Sequence, residues 1–539
     1  MPNQFFLTST LVRNAVDFVR SYGTPDLEEI SSEQEYRHLR YQLLYELHNG
    51  IAYDDMDSWQ DYKSRHGLYR WLRPIWSHAQ QLVDFYAYRI YNGAIPIDGL
   101  TLPDGVKGSV PFSPFTNMEL AKAANGLLTD WNFQSIGPML VAYTATIGEL
   151  LVELRDNPAT GRVAMHFIWP GLVKDIILDE AENIVSYSLE YDVTEKERNI
   201  DTNMYTTVRY KYRREVDANS IRTYKDGVLH PFNGEPASIP NPYGFVPAVW
   251  FRHIKRMGVR GEPAIVGTIA AADEVNSLLS HLIDKTHVKL KSPILVSGNL
   301  SPNAMQRAIG SLMTQAKRPF TSSMGGRQDG REELDILEAP QGTKIDTLDI
   351  KLEDSRQIVN LLINNIEKNC PEITVFNEMR GMTQITGPAA ARLFGDIEPK
   401  FRTIASGYDQ QLRKLLQMGI AISGWRVGNG DWNGTRNRNV DGTPAAGLTE
   451  LQQRFTQFNL GSFATGAMNI DILPRQLFEP TDRERIDLLI TKKALLDIIP
   501  QRQLAVEAGY REEMIDEWIR EYEANQAQEA IQSQSVSGQ

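Results

Sequence analysis

Only one cysteine, Cys370, stands in the 539 residues. That single thiol excludes an internal disulfide framework and a cysteine-based zinc site, and it points to a chain made in a reducing cytoplasm. Long apolar runs are missing as well. None approaches the ~20 residues that span a bilayer, so no membrane partner is expected. The opening residues, MPNQFFLTSTLVRNAVDF, have neither a basic leader nor a sustained apolar stretch, and no secretory signal is read there. Positive charge is also short, with 56 Lys and Arg against 68 Asp and Glu leaving a formal charge of −12. A protein whose whole surface grips phosphates shows a basic footprint instead. Transient passage of nucleic acid stays open.

Motifs for chemistry are scarce. GMTQITGPA has two glycines at nearly the spacing of a phosphate loop, but no Lys-Ser or Lys-Thr follows the second. His281 and His287 are six apart rather than four and lack the glutamate of a zinc-protease pair. Asp431, Asn433, Asn437 and Asp441 miss the alternating oxygen ligands and terminal glutamate of a calcium loop. Asp273 and Glu274 are adjacent, so on a helix they diverge and cannot flank one bond. The expectation is therefore a protein with no catalytic residues, no metal and no cofactor, and not an enzyme.

What is present is an ordinary soluble composition, 42% apolar and 23% charged, in a chain long enough for about three or four domains. The pattern is α+β and mainly helical. TSTLVRNAVDFVRSYG (8–23), EYRHLRYQLLYELHNG (35–50) and residues 71–91, with Ile75, Ala79, Leu82, Val83, Tyr86 and Ile90 as a core stripe, read as helices. From about residue 147 the period shortens. Residues 149–170 read as a hairpin around DNPATG and 175–193 as a second; 206–214 and 220–232 continue an antiparallel meander to about residue 255.

Helical spacing returns over 262–291, with Val275, Leu278, Leu279, Leu282 and Ile283 on one face, and runs into SPILVSG, a short strand. Residues 299–342 read as irregular, with one short helix near 303–316. A second long helix, 351–370, carries Ile358, Leu361, Leu362 and Ile366 and stops at Pro371. After it, NEMRGMTQITGPAAARLFGDIEP begins as a polar loop and turns into a helix at Gly387 and Pro388, since proline presets the first-turn dihedral. Leu393, Ile397, Phe401, Ile404, Tyr408, Leu412 and Leu415 form its apolar face, and Pro399 is expected to kink it. Residues 423–447 read as a breaker-rich insertion. The helices of 480–523 open with a capping box of Thr481 and Glu484, and 524–539 read as disordered.

In this order the elements resemble the portal protein of tailed bacteriophages, of the long-tailed type, over most of the chain. The carriers are LYRWLRPIWSHAQQLVDFYAYRIY; AADEVNSLLSHLIDKTHVKLKSPILVSG, similar to a stem helix entering the clip; DSRQIVNLLINNIEKNC, similar to the returning helix; GMTQITGPAAARLFGDIEPKF, similar to a tunnel loop and its long helix; and LLDIIPQRQLAVEAGYREEMIDEWIREYE, similar to the crown-side ending. The long N-terminal helical lead and the 423–447 insertion do not map onto the family.

The resemblance implies a portal-like ring subunit with an α/β wing (1–260), stem helix (261–291), small α/β clip (292–342), returning stem helix (343–373), tunnel loop (374–387), long wing helix with loop insertion (388–447), helical crown (448–523) and tail (524–539). It implies a dodecamer at one vertex of the capsid in the virion, a conduit for double-stranded DNA in packaging and ejection. Implied partners are the terminase large subunit, a head–tail adaptor, the major capsid protein and possible scaffold. Asn377, Glu378, Met379, Arg380, Gly381, Met382, Thr383 and Gln384 would be the tunnel loop; an ordinary surface turn is the other reading. Lys285, Lys289 and Lys291, after the acidic Glu262, Asp273, Glu274 and Asp284, would form basic collars in the channel. Cations stabilising a helix C-terminus account for them equally well. Another structural ring of the virion, adaptor or baseplate, is the alternative, and an enzyme with an unrecognised site the next.

Overall fold

The computed structural model describes, apart from scattered positions, residues 33–50, 78–96, 108–113, 116–157, 162–198, 205–255, 258–283, 294–298, 336–340, 352–375, 395–428, 454–477 and 515–520. Its class is α+β. Two compact units divide the chain: Met1–Asn49, His78–Gly267 and Cys370–Gln539 form one, and Gly50–Ser77 with Thr268–Asn369 the other.

In the first unit, helices α1 (Glu33–Asn49), α2 (Ala79–Ile90), α3 (Met118–Asp130) and α4 (Phe133–Ile147) precede the strands. Helix α2 buries Ala79, Leu82, Val83, Tyr86 and Ile90, the stripe its spacing predicts; residues 71–77 lie outside the described residues. Asn117 caps α3 by accepting from the Glu119 and Leu120 amides. Helix α4 ends at Gly148, whose φ of 102° suits only glycine. A Cβ on Gly148 would meet the Glu262 carbonyl carbon at 2.7 Å, so the glycine also permits a close chain crossing.

Strands β1 (Glu149–Asn157) and β2 (Arg162–Ile168) form the expected hairpin. The next strands are β3 (Val173–Leu178), β4 (Ile184–Arg198), β5 (Tyr205–Asp217), β6 (Ser220–Lys225), β7 (Val228–Leu229), β8 (Ser238–Pro240), β9 (Ala248–Arg252), β10 (Ile254–Lys255) and β11 (Gly261–Glu262). One sheet has the order β2-β1-β9; a six-stranded sheet runs β3-β4-β5-β6-β7, with β8 beside β6. All of these pairs are antiparallel, as the meander pattern predicts. Asp226 and Gly227 turn β6 into β7 with φ of 51° and 82°, the left-handed pair that a two-residue hairpin needs.

The three-stranded sheet is covered on both faces. Leu150, Val152, Leu154, Val249 and Phe251 join the helical core, while Leu151, Ala248 and Trp250 pack with Val173, Tyr187, Leu189 and Val216 of the six-stranded sheet. Burial on both sides explains why ELLVEL is apolar at nearly every position rather than alternating. Its exceptions are Glu149, which accepts from the Gly261 amide at 2.8 Å, and Glu153, which accepts from both terminal nitrogens of Arg214, at 2.9 and 2.7 Å, and from Arg155. Burial raises the Glu153 pKa, but the two guanidinium groups outweigh it and hold the carboxyl below its ordinary range.

The long helix α6 (Ile397–Gly428) completes this core, burying Ile397, Phe401, Ile404, Tyr408, Leu412 and Leu415 (helix α5 belongs to the second unit, below). Pro399 stands at the third residue of α6, where its missing N–H has no intrahelical acceptor to lose. One expectation is corrected here. The breaker-rich insertion does not begin at 423, because Ser423–Gly428 is helical and Gly424 serves close packing. A Cβ there would lie 1.6 Å from the Phe458 carbonyl oxygen, in the turn before helix α7 (Leu460–Ala464). Near the C-terminus, the described residues of 515–520 are helical, with Ile515 buried and Ile519 exposed.

In the second unit, the described residues between 269 and 283 are helical, with Val275 buried. Strand β12 (Ile294–Gly298) pairs in parallel with β13 (Ile336–Pro340), and α5 (Leu352–Asn369) follows. Strand β13 corrects the reading of 299–342 as irregular; its partner is distant in sequence, so no hairpin signal marks it. The stripe of α5 is corrected too. Ile366 is buried, but Ile358 and Leu361 are 53% and 61% exposed, and Val359 takes the inward place. Six apolar residues in nine, 358 to 366, make an arc too wide for one chain to cover, so spacing alone does not pick the buried half.

Candidate functional site

None of the residues singled out for DNA contact falls within the described parts of the chain. Lys285, Lys289 and Lys291, residues Asn377 to Gln384, and Gly387 with Pro388 all lie outside them, as do the candidate ligands His281, His287, Asp431, Asn433, Asn437 and Asp441. The segments on either side of 376–394 are described, and there the first unit builds a polar cluster that the sequence reading missed.

Helix α5 ends at Asn369, and Pro371 starts a short helical turn, 371–375, instead of merely ending a helix. Cys370, Glu372, Ile373 and Val375 are buried. The hydroxyl of Tyr86, on α2, donates to Glu372 Oε1 at 2.6 Å. The ammonium of Lys400, in the first turns of α6, stands 2.6 Å from the same oxygen. Glu372 Oε2 has no hydrogen-bond partner. Behind Tyr86 lies His253, between β9 and β10, with ring centroids 4.6 Å apart and edge to face. The Tyr408 hydroxyl is 3.0 Å from His253 Nδ1.

Electrostatics fix the protonation states. Complete burial, and then the Lys400 charge, lower the His253 pKa to about 3, so the ring is neutral over the ordinary pH range. Burial and the neighbouring Glu372 carboxylate push the Tyr86 phenol well above its usual value. The result is a buried carboxylate held by one half-exposed cation and one neutral donor. A catalytic base must reach the proton it takes, and Glu372 is only 1% exposed. The arrangement can fasten chain segments together. A signal for it was in the sequence, an acidic residue next to the apolar Ile373 and Val375, but nothing local named its partners.

A second buried pair lies nearby in the same unit. Arg475 Nε stands 3.0 Å from both Asp409 oxygens, and its guanidinium lies over the Tyr91 ring at 4.9 Å. Burial raises the Asp409 pKa, with Arg475 partly offsetting it. Among the described residues no group of three or more His, Cys, Asp or Glu side chains is placed to hold a metal ion. Among them, too, no helix is long and apolar enough to cross a membrane. A comparison with protein-family models and with curated proteins finds no match to this chain.

Proposed function

We propose that this chain is the subunit of a portal ring, a DNA conduit at one vertex of a tailed-phage capsid. The observation that carries the reading is the make-up of the second unit. Residues helical between 269 and 283, a small parallel strand pair and helix α5 follow one another in a compact unit that also takes in Gly50–Ser77. That is the order of stem, clip and stem that the sequence resemblance implies. Helix α5 also leaves Ile358 and Leu361 in solvent, which suits a helix that meets a neighbouring subunit.

The physical logic of the conduit is weak contact. Each phosphate neutralised by a basic side chain adds salt-dependent affinity, which would act as friction on moving DNA. A subunit with formal charge −12 is suited to letting a polyanion slide, with basic groups confined to a few positions such as Lys285, Lys289 and Lys291. The clip would dock the terminase during packaging and a head–tail adaptor afterwards; the part of the 374–387 loop beyond the buried Val375 would touch the passing duplex.

Native mass spectrometry with negative-stain class averages tests the reading. A hollow ring of about twelve subunits, without turnover of nucleoside triphosphates, is the expected result. A monomer or dimer at micromolar concentration overturns it.

A further inference from the structure

Glu372 and Lys400 stand on opposite sides of residues 376–396, and they meet. The chain enters that stretch from the buried turn 371–375 and leaves it on the first turns of α6, where Ile397 and Phe401 are buried. Val375 on the entry side and Ile397 and Phe401 on the exit side belong to one apolar core. The polar tie between the two sides is the contact of Lys400 Nζ with Glu372 Oε1, and Tyr86 joins both to α2 through the same oxygen.

We propose that Tyr86, Glu372 and Lys400 form a clasp that sets how often the 370–375 segment lifts from the core, so that entry and exit are held at one point. The inference does not depend on the portal reading. All the hydrogen bonding of the carboxylate falls on Oε1, since Oε2 has no partner. Loss of either donor therefore leaves a buried anion under-paired, the costly case for a charge away from water. One arm of the clasp is reachable from solvent, because the Lys400 side chain is 39% exposed. Its removal creates no cavity in the core, whereas a change at Ile373 or Val375 would.

Cys370 provides the readout. It is the only cysteine in the chain, it is buried, and it stands two residues from Glu372. Under native conditions its reaction with a maleimide measures opening of this segment. Lys400→Met and Tyr86→Phe are each expected to speed labelling about tenfold or more, with circular dichroism unchanged. Glu372→Gln should do the same, and the double variant Glu372→Gln/Lys400→Met should label much more slowly than the product of the two single effects predicts, because the two residues act through one contact. Arg402→Met, which loses only an exposed pairing with Glu398, should label like the parent. Labelling of Lys400→Met at the parent rate, or single effects that multiply in the double variant, would overturn the clasp. If Glu372→Gln does not fold, Lys400→Met and Tyr86→Phe carry the test by themselves, and labelling of either at the parent rate counts against it.

Discussion

His253 shows how strongly position can overrule a residue's ordinary chemistry. Closed in by Tyr86 and Tyr408, with Lys400 near, it takes up a proton only at about pH 3 in the folded protein, against 6.5 ordinarily. The unfolded chain therefore binds a proton that the native state refuses throughout that interval. Stability from this group is fully present above pH 6.5 and is lost as pH falls towards 3. His78, lowered to about 4 by burial, adds the same trend over a narrower range. Urea midpoints measured at pH 7.5, 6, 5 and 4 should fall with acidification. In His253→Gln the slope between pH 6 and 4 should be shallower by about one proton, or ~1.4 kcal/mol per pH unit; an unchanged slope would place the titration elsewhere. The residues that spacing can mark, such as Tyr408 and Leu412 on α6, were legible because their neighbours recur at three and four positions. Glu372 was not, because its Tyr86 partner is 286 positions away and the sequence shows only a lone acid among apolar residues.

At the scale of elements, the antiparallel meander and helices α1 and α2 followed from local pattern; the turn at Asp226 and Gly227, inside a stretch read as one piece, did not. Parallel pairing of β12 with β13 did not, since the strands are separated by residues 299–335 and no turn chemistry joins them. Glycine proved the most ambiguous letter. In GWRVGNG it reads as a helix breaker, yet Gly424 is a contact point where α6 touches the Phe455–Phe458 turn. Gly424→Ala should push that turn away from the helix at a cost of about 1–3 kcal/mol, the range for overpacking a well-filled contact. Thermal unfolding of the variant beside Gly407→Ala, where only the end of the Lys255 side chain lies within 4 Å, checks it. The Gly407 change should be near neutral or stabilising, since alanine is the better helix former.

At the scale of the whole molecule, the exposed half of the α5 arc is the place to test self-assembly. Glu at Ile358 and at Leu361 should leave the monomer folded, because both side chains are already in solvent, and should abolish any ring seen by native mass spectrometry. A ring that survives both changes would mean that α5 does not meet a neighbour. The tunnel-loop and collar residues read from the sequence lie outside the described residues, because the signal for them was resemblance of order and not a local pattern. The division of the chain carries a further consequence, for biosynthesis. Because the second unit interrupts the first, the core of α2 to α4 and β1 lacks its α6 wall until residue 428 has left the ribosome. At about 5–20 residues per second, the roughly 280 residues from β1 to the end of α6 take tens of seconds to make. For that interval the nascent chain carries a half-built apolar surface, a natural client for chaperones that shield newly made protein.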